Sequence, residues 1–125
     1  MKVFTNGCFD ILHRGHIELL EYCASFGEVI VGLNSDNSVR RLKGIERPFN
    51  KAEDRKKILE SIRYVNKVII FEEDTPYNLI KALGPDLIVK GSDYLQSEVI
   101  GSEICEVKLF PFIDGYSTSL FKRKN

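Results

Sequence analysis

Apolar residues fall into short blocks separated by stretches at helical spacing. Residues 3–6, 29–33, 68–71, 86–89 and 106–110 each carry a compact hydrophobic run bounded by polar or turn residues, and each predicts a strand. Val29-Ile30-Val31-Gly32-Leu33 shows no polar alternation, the mark of a parallel strand buried on both faces. After the first strand Ile17, Leu20 and Ala24 recur at helical spacing with Cys23 beside them, and Gly27 is the candidate C-cap. Asn34-Ser35-Asp36 predicts a loop and helix cap, and a polar, basic segment follows over residues 40–48. Asn50-Lys51-Ala52-Glu53 reads as a capping box, with Asn50 as cap and Glu53 reaching back. The next helix has Ile58, Leu59 and Ile62 as its apolar stripe. Thr75-Pro76 predicts a cap and first-turn proline for a helix ending near Gly84-Pro85, and residues 114–119 lead into a last short helix. Strand and helix alternate, which predicts an α/β fold: a doubly wound five-stranded parallel sheet in a single domain spanning residues 1–125.

The candidate chemistry is concentrated at the start. Thr5-Asn6-Gly7-Cys8-Phe9-Asp10-Ile11-Leu12-His13-Arg14-Gly15-His16 places a strand, a glycine-containing turn, an acidic residue and two imidazoles at the mouth of a helix. His13 and His16 are the only histidines of the chain. Backbone N–H groups, a helix N-terminus and imidazoles around one small volume suit a nucleotide polyphosphate. A zinc site needs a third and fourth ligand at suitable spacing, and Cys23 and Cys105 form no C-x-x-C pair, so the motif is not read as a metal site. Arg55 lies three, four and seven residues before Ile58, Leu59 and Ile62 and therefore points to the same face, unlike Lys56 and Lys57. An arginine there needs an anionic partner, either a ligand or an acidic loop residue in a structural ion pair. In an open parallel sheet ligands bind beyond the carboxyl ends of the strands. His13, Asp36, Lys90, Asp93 and Ser117 fall on such ends or the loops that follow.

Composition narrows the function classes. The chain has 18 basic and 18 acidic residues and a formal net charge of zero, which argues against a nucleic-acid partner. Lys122-Arg123-Lys124 is a short solvated tail. No apolar run approaches a membrane span, the start does not resemble a signal peptide, and three unpaired cysteines fit a reducing, cytoplasmic compartment. A dinucleotide-binding domain is disfavoured because G-x-G-x-x-G is absent after the first strand.

The residues 5–16 resemble the H-x-G-H signature of the cytidylyltransferase-like nucleotidyltransferases. Ser117-Thr118-Ser119 resembles that family's C-terminal Ser/Thr motif, and Arg55 falls on its central arginine. Within the family, Arg41-Leu42-Lys43-Gly44, Arg47-Pro48, residues 71–76, residues 85–94 and Ile100-Gly101-Ser102 are most similar to the stand-alone adenylyltransferases of ADP-heptose synthesis, with no kinase domain attached. Residues 58–65 are also similar to glycerol-3-phosphate cytidylyltransferase. Phe112, where the cytidylyltransferase pattern has arginine, and Cys8, where it has threonine, weaken a CTP reading.

The resemblance implies a Rossmann-like fold and a transferase that joins the nucleoside monophosphate of a triphosphate, ATP, to a sugar phosphate such as a heptose 1-phosphate. The alternatives are a CTP-dependent enzyme acting on glycerol 3-phosphate and a non-catalytic nucleotide-binding module, although neither histidine nor the Ser-Thr motif is lost. His13 and His16 are then phosphate donors, and Lys43 and Arg55 neutralise the triphosphate and leaving pyrophosphate. Asn6, Gly7, Cys8, Phe9, Asp10, Gly15, Lys90, Gly91, Asp93, Ser117 and Thr118 surround the nucleotide, with Asp10 also able to orient the acceptor or a magnesium-bound water. Mg²⁺ is the expected cofactor, the phosphorylated acceptor is a sugar or polyol, and a homodimer is the expected assembly.

Overall fold

The computed structural model describes residues 1–91 and 96–111. All five expected strands form, and all neighbours in the sheet run parallel. In chain order the elements are β1 (Lys2–Gly7), α1 (Arg14–Ala24), β2 (Glu28–Asn34), α2 (Asp36–Lys43), α3 (Ala52–Glu60), β3 (Lys67–Phe71), α4 (Tyr77–Leu83), β4 (Leu87–Gly91) and β5 (Glu106–Phe110), with a 3₁₀ turn at Gln96–Glu98 before β5. The strand order is β3-β2-β1-β4-β5. The chain therefore winds outward from β1 in one direction, then returns to β1's other side for β4. β1 pairs with β2 from Lys2–Glu28 to Gly7–Leu33. With β4 it shares only the Val3–Leu87 and Phe4–Ile88 positions. The two strands diverge beyond that point, and a crevice opens above their carboxyl ends.

Strand alternation sorts the core into two layers. Val3, Val29, Val31, Leu33 and Val89 face Leu20 and Cys23 of α1 and Leu59 of α3. Phe4, Ile30, Ile88 and Val107 face Ile80 of α4 and Val99. Helices on both faces explain why β2 has no polar alternation and make this a doubly wound, Rossmann-like sheet. Each fully buried side chain of this size contributes about 1.5–3 kcal/mol of transfer free energy. The rigid two-layer core is the platform on which the loops at the strand ends are held.

Several helix ends differ from expectation. α1 stops at Ala24 with Ser25 as C-cap, its N–H bonded to the carbonyls of Glu21 and Tyr22. Gly27 serves instead a close approach, since a Cβ there would lie 2.3 Å from the Met1 carbonyl oxygen. The capping box at Asn50 does not form: α3 is capped by the Lys51 backbone with no side-chain bond. The amide of Asn50 is drawn to the Asp10 carbonyl (2.8 Å), a tertiary contact that outcompetes the local one. Pro76 sits one residue before α4, with no side-chain cap from Thr75. Gly84 does cap α4, at φ 60°, the left-handed conformation that glycine adopts without penalty. Ile58 is half exposed, so α3 packs through Leu59, with Ile62 joining the core from the turn that follows. Lys90 and Gly91 extend β4 and are not loop residues. The expected helix after residue 114 lies outside the described residues.

Candidate active site

The two histidines are locked into one protonation state by the backbone. His13 is the N-cap of α1, and its Nδ1 accepts the Gly15 N–H at 3.1 Å. His16 reaches back, its Nδ1 accepting the His13 N–H at 3.2 Å. This is the reciprocal logic of a capping box with two imidazoles as the acceptors. A neutral imidazole that accepts at Nδ1 carries its proton on Nε2. Both rings therefore present an Nε2–H donor. They stack at 3.9 Å between centroids, and the Phe9 ring meets His16 edge-on at 5.3 Å. Burial, followed by the charge of a protonated His13 neighbour, pushes His16 down to about 4. Burial also lowers His13. Both stay neutral donors at physiological pH.

The turn between β1 and α1 is held from behind. Phe9 is buried at φ 46°, a left-handed conformation that costs a bulky residue of order 1–3 kcal/mol. Asp10 and Arg55 stabilise it. The Asp10 carboxylate is fully buried and accepts from Arg47 Nε (2.9 Å), Phe49 N (2.7 Å) and Asn50 N (2.8 Å). These oxygens are spent on the loop before α3. Asp10 thus acts as an anchor for that loop, in contrast to the expected role of orienting the acceptor or a magnesium water.

Arg55 also departs from expectation. Among the described residues it is the largest fully buried side chain. Its Nε donates to the Asn50 carbonyl (2.8 Å), Nη1 to the carbonyls of Cys8 (2.8 Å) and Asn34 (2.9 Å), and Nη2 to Asp36 Oδ1 (2.9 Å). The structural ion pair is the reading this geometry supports, and Arg55 does not border the cleft. One guanidinium ties together the β1–α1 turn, the end of β2 and the loop before α3. Asp36 Oδ1 also accepts from Ala52 N, so it fixes both the helix start and the arginine.

In front of this scaffold lies a cleft of about 550 Å³ over the carboxyl ends of the strands. Asn6, Gly7, Cys8, Phe9, Asp10 and His16 form its centre. Lys43, at the end of α2, and Arg47 border it on the side of β2 and β3; Lys90 borders it on the side of β4. Lys90 Nζ is steered by the Asn6 carbonyl at 3.1 Å. The Cys8 thiol is pushed up by burial against the lowering effect of Lys43, Arg55 and Arg47, so it stays protonated. Lys43, Arg47 and Lys90 line the cleft with backbone and neutral donors and with the carboxylates of Asp10, Asp74 and Glu98, a mixed lining that can take an anionic ligand beside the cations. Gly15 serves through its N–H in the cap, and Gly91 ends β4 opposite Phe110. Asp93, Ser117 and Thr118 lie outside the described residues, as does Phe112. Arg47, Asn34 and Thr75 line the cleft but were not expected there; the only sign of Arg47 in the sequence was its place in a similar segment.

Comparison with known proteins agrees with this geometry. A family model described as cytidylyltransferase-like matches residues 4–123. The bifunctional protein HldE of Wolinella succinogenes is 54% identical over 124 residues, 98% of this chain and 26% of that protein. HldE of Helicobacter pylori strain P12 is 56% identical over 124 residues, again 98% of this chain and 27% of that protein. The chain thus spans about a quarter of the length of these relatives. The crystal structure of a lipopolysaccharide core biosynthesis protein from Thermoplasma volcanium superposes with a TM-score of 0.76 at 27% identity, covering 94% of this chain and 98% of that one. Among the described residues no helix is long and apolar enough to cross a membrane. The match from residue 4 to residue 123, together with a doubly wound sheet carrying H-x-G-H at its first helix, shows that the chain belongs to the cytidylyltransferase-like family.

Proposed function

We propose that this chain is a nucleotidyltransferase that joins the adenylyl group of ATP to a sugar phosphate of the heptose 1-phosphate type and releases pyrophosphate. The observation that carries the reading is the pair of imidazoles fixed as Nε2–H donors at the N-terminus of α1, with His16 on the cleft. In the reaction an oxygen of the acceptor phosphate attacks the α-phosphorus, the bond from that phosphorus to the β-phosphate bridging oxygen breaks, and pyrophosphate departs. The acceptor is already an anion, so no general base is needed. The chain's task is to position two anions against each other and to meet negative charge as it grows. His13 and His16 donate to the α- and β-phosphate oxygens. Lys90 flanks the polyphosphate on the β4 side, and Lys43 faces it across the cleft from the end of α2, where it meets charge growing at the α-phosphorus.

Among the described residues no group of three or more His, Cys, Asp or Glu is arranged to hold a metal ion. The Asp10 oxygens are already engaged. A magnesium ion would then enter with the triphosphate, beside Lys43 and Lys90, and would add positive charge there. Such an ion would neutralise charge on the bridging phosphates.

The likeness to a lipopolysaccharide core biosynthesis protein fits a sugar acceptor. The adenylyl preference rests on the similar segments of sequence, on Cys8 and on Phe112. Pyrophosphate release with ATP, CTP, GTP and UTP, each against heptose 1-phosphate, hexose 1-phosphates and glycerol 3-phosphate, tests both halves. ATP with heptose 1-phosphate should give the highest kcat/KM. A preference for CTP with glycerol 3-phosphate would overturn the assignment of both substrates while leaving the reaction class in place.

A further inference from the structure

We infer that Arg47 is the subsite for the phosphate of the acceptor. The inference rests on the nucleotidyltransferase reading and goes beyond it by naming which cation meets which anion. Arg55 and Arg47 make an instructive contrast. Arg55 engages all three guanidinium nitrogens with protein oxygens. The Arg47 side chain is only 11% exposed, yet among the described residues just its Nε has a protein hydrogen bond, to Asp10. Its two Nη groups are not sealed away, because among the described residues the only buried side-chain nitrogen or oxygen without a partner is Thr5 Oγ1. A guanidinium held by one nitrogen, with both terminal nitrogens unpartnered among the described residues and open to a cleft, offers a preformed fork for an anion.

The fork is also aimed in advance. Asp10 is immobilised by the Phe49 and Asn50 N–H groups, and the guanidinium carbon lies 4.6 Å from the centroid of the Phe49 ring. The guanidinium is thus held by a salt bridge on one edge and by an aromatic face. The remaining Nη pair matches two oxygens of a phosphate monoester, the bidentate geometry that arginine provides and lysine does not.

Position in the sheet decides which phosphate it meets. In the order β3-β2-β1-β4-β5 the winding reverses between β1 and β4, and the nucleotide belongs in the crevice at that switch point, beside Lys90. Arg47 lies in the connection between β2 and β3, across β1 from β4, and lines the cleft together with Asn34, the last residue of β2, and Thr75 after β3. His16 lies in the central lining, where the α-phosphorus would sit. The second reactant therefore approaches from the β2 side and meets Arg47.

The test compares wild type with Arg47→Gln and Arg47→Lys. Calorimetric titration with mannose 1-phosphate, without nucleotide, should show binding to wild type and a loss of roughly 10- to 100-fold in Arg47→Gln, the scale for one charge-assisted pair. Arg47→Lys keeps the charge but not the fork and should fall between them. In pyrophosphate release the KM of the sugar phosphate should rise by a similar factor, with the KM of ATP within about twofold of wild type. Melting curves of Arg47→Lys show whether the fold is intact. Equal sugar-phosphate binding in wild type and Arg47→Gln, no binding of the probe by wild type, or a matching loss of ATP affinity would each overturn the assignment. If no pair of substrates releases pyrophosphate, the proposed function fails, whereas the binding contrast still judges Arg47.

Discussion

Replacing His16 by alanine is expected to lower turnover by about 100- to 1000-fold with the fold intact, the scale for removing one preorganised donor to a developing oxyanion. His16 Nδ1 contributes one cap bond to α1, and losing it costs about 1 kcal/mol, too little to unfold the domain. His16→Gln keeps a donor but not the imidazole lock, and should recover part of the rate. The same residue sets an acid limit. His16 is near 6.5 unfolded and about 4 folded, so between those values the unfolded chain binds the extra proton. Stability is therefore full above about pH 6.5 and declines as the pH falls toward 4, by roughly 2–3 kcal/mol for a shift of this size. His16→Gln should flatten that slope. Turnover in His16→Ala at the wild-type rate would show that the imidazole is only a helix cap.

Arg55→Ala is expected to lose about 3–5 kcal/mol in the absence of any ligand, because it takes the guanidinium donor from the carbonyls of Cys8, Asn34 and Asn50 and leaves the Asp36 carboxylate without its charge partner. For a chain of this size that is roughly 10–20 °C in Tm. Arg55→Lys preserves the charge but cannot reach four acceptors in three directions, so it should recover less than half of the loss. Melting curves with and without ATP and Mg²⁺ separate the two roles an arginine can take. A ligand-free Tm like wild type, with the nucleotide-induced rise abolished, would return Arg55 to the triphosphate. The structure predicts the reverse order of effects, with the large loss already present before nucleotide is added.

The contrast between these two residues shows what a sequence can carry. His13 and His16 act through contacts three residues apart, and a strand followed by a helix fixes where that local motif must sit. The sheet was legible for the same reason: a strand buried on both faces leaves its mark in consecutive residues such as Val29, Ile30 and Val31. Arg55 was legible as a buried arginine but not in its partner. Three of its four acceptors are backbone carbonyls, which every residue possesses, and they lie 5, 21 and 47 residues away. Asn50 misled because its local signature was that of a cap, whereas its side chain is taken by Asp10 across 40 residues. Asp10 misled in the complementary way, as a carboxylate beside a phosphate-binding turn whose oxygens the chain itself consumes. The left-handed Phe9 had no signature, since its conformation is imposed by the anchors on either side.

The central claim is that the cleft transfers a nucleotidyl group and not a terminal phosphoryl group. The direct measurement uses ATP labelled at the α-phosphate in one reaction and at the γ-phosphate in another, each with Mg²⁺ and heptose 1-phosphate. The expected result is α-label in a nucleotide-linked sugar and γ-label in pyrophosphate, with both lost in step in His16→Ala. Appearance of the γ-label in the sugar or in inorganic phosphate, with the α-label retained in ADP, would contradict the account.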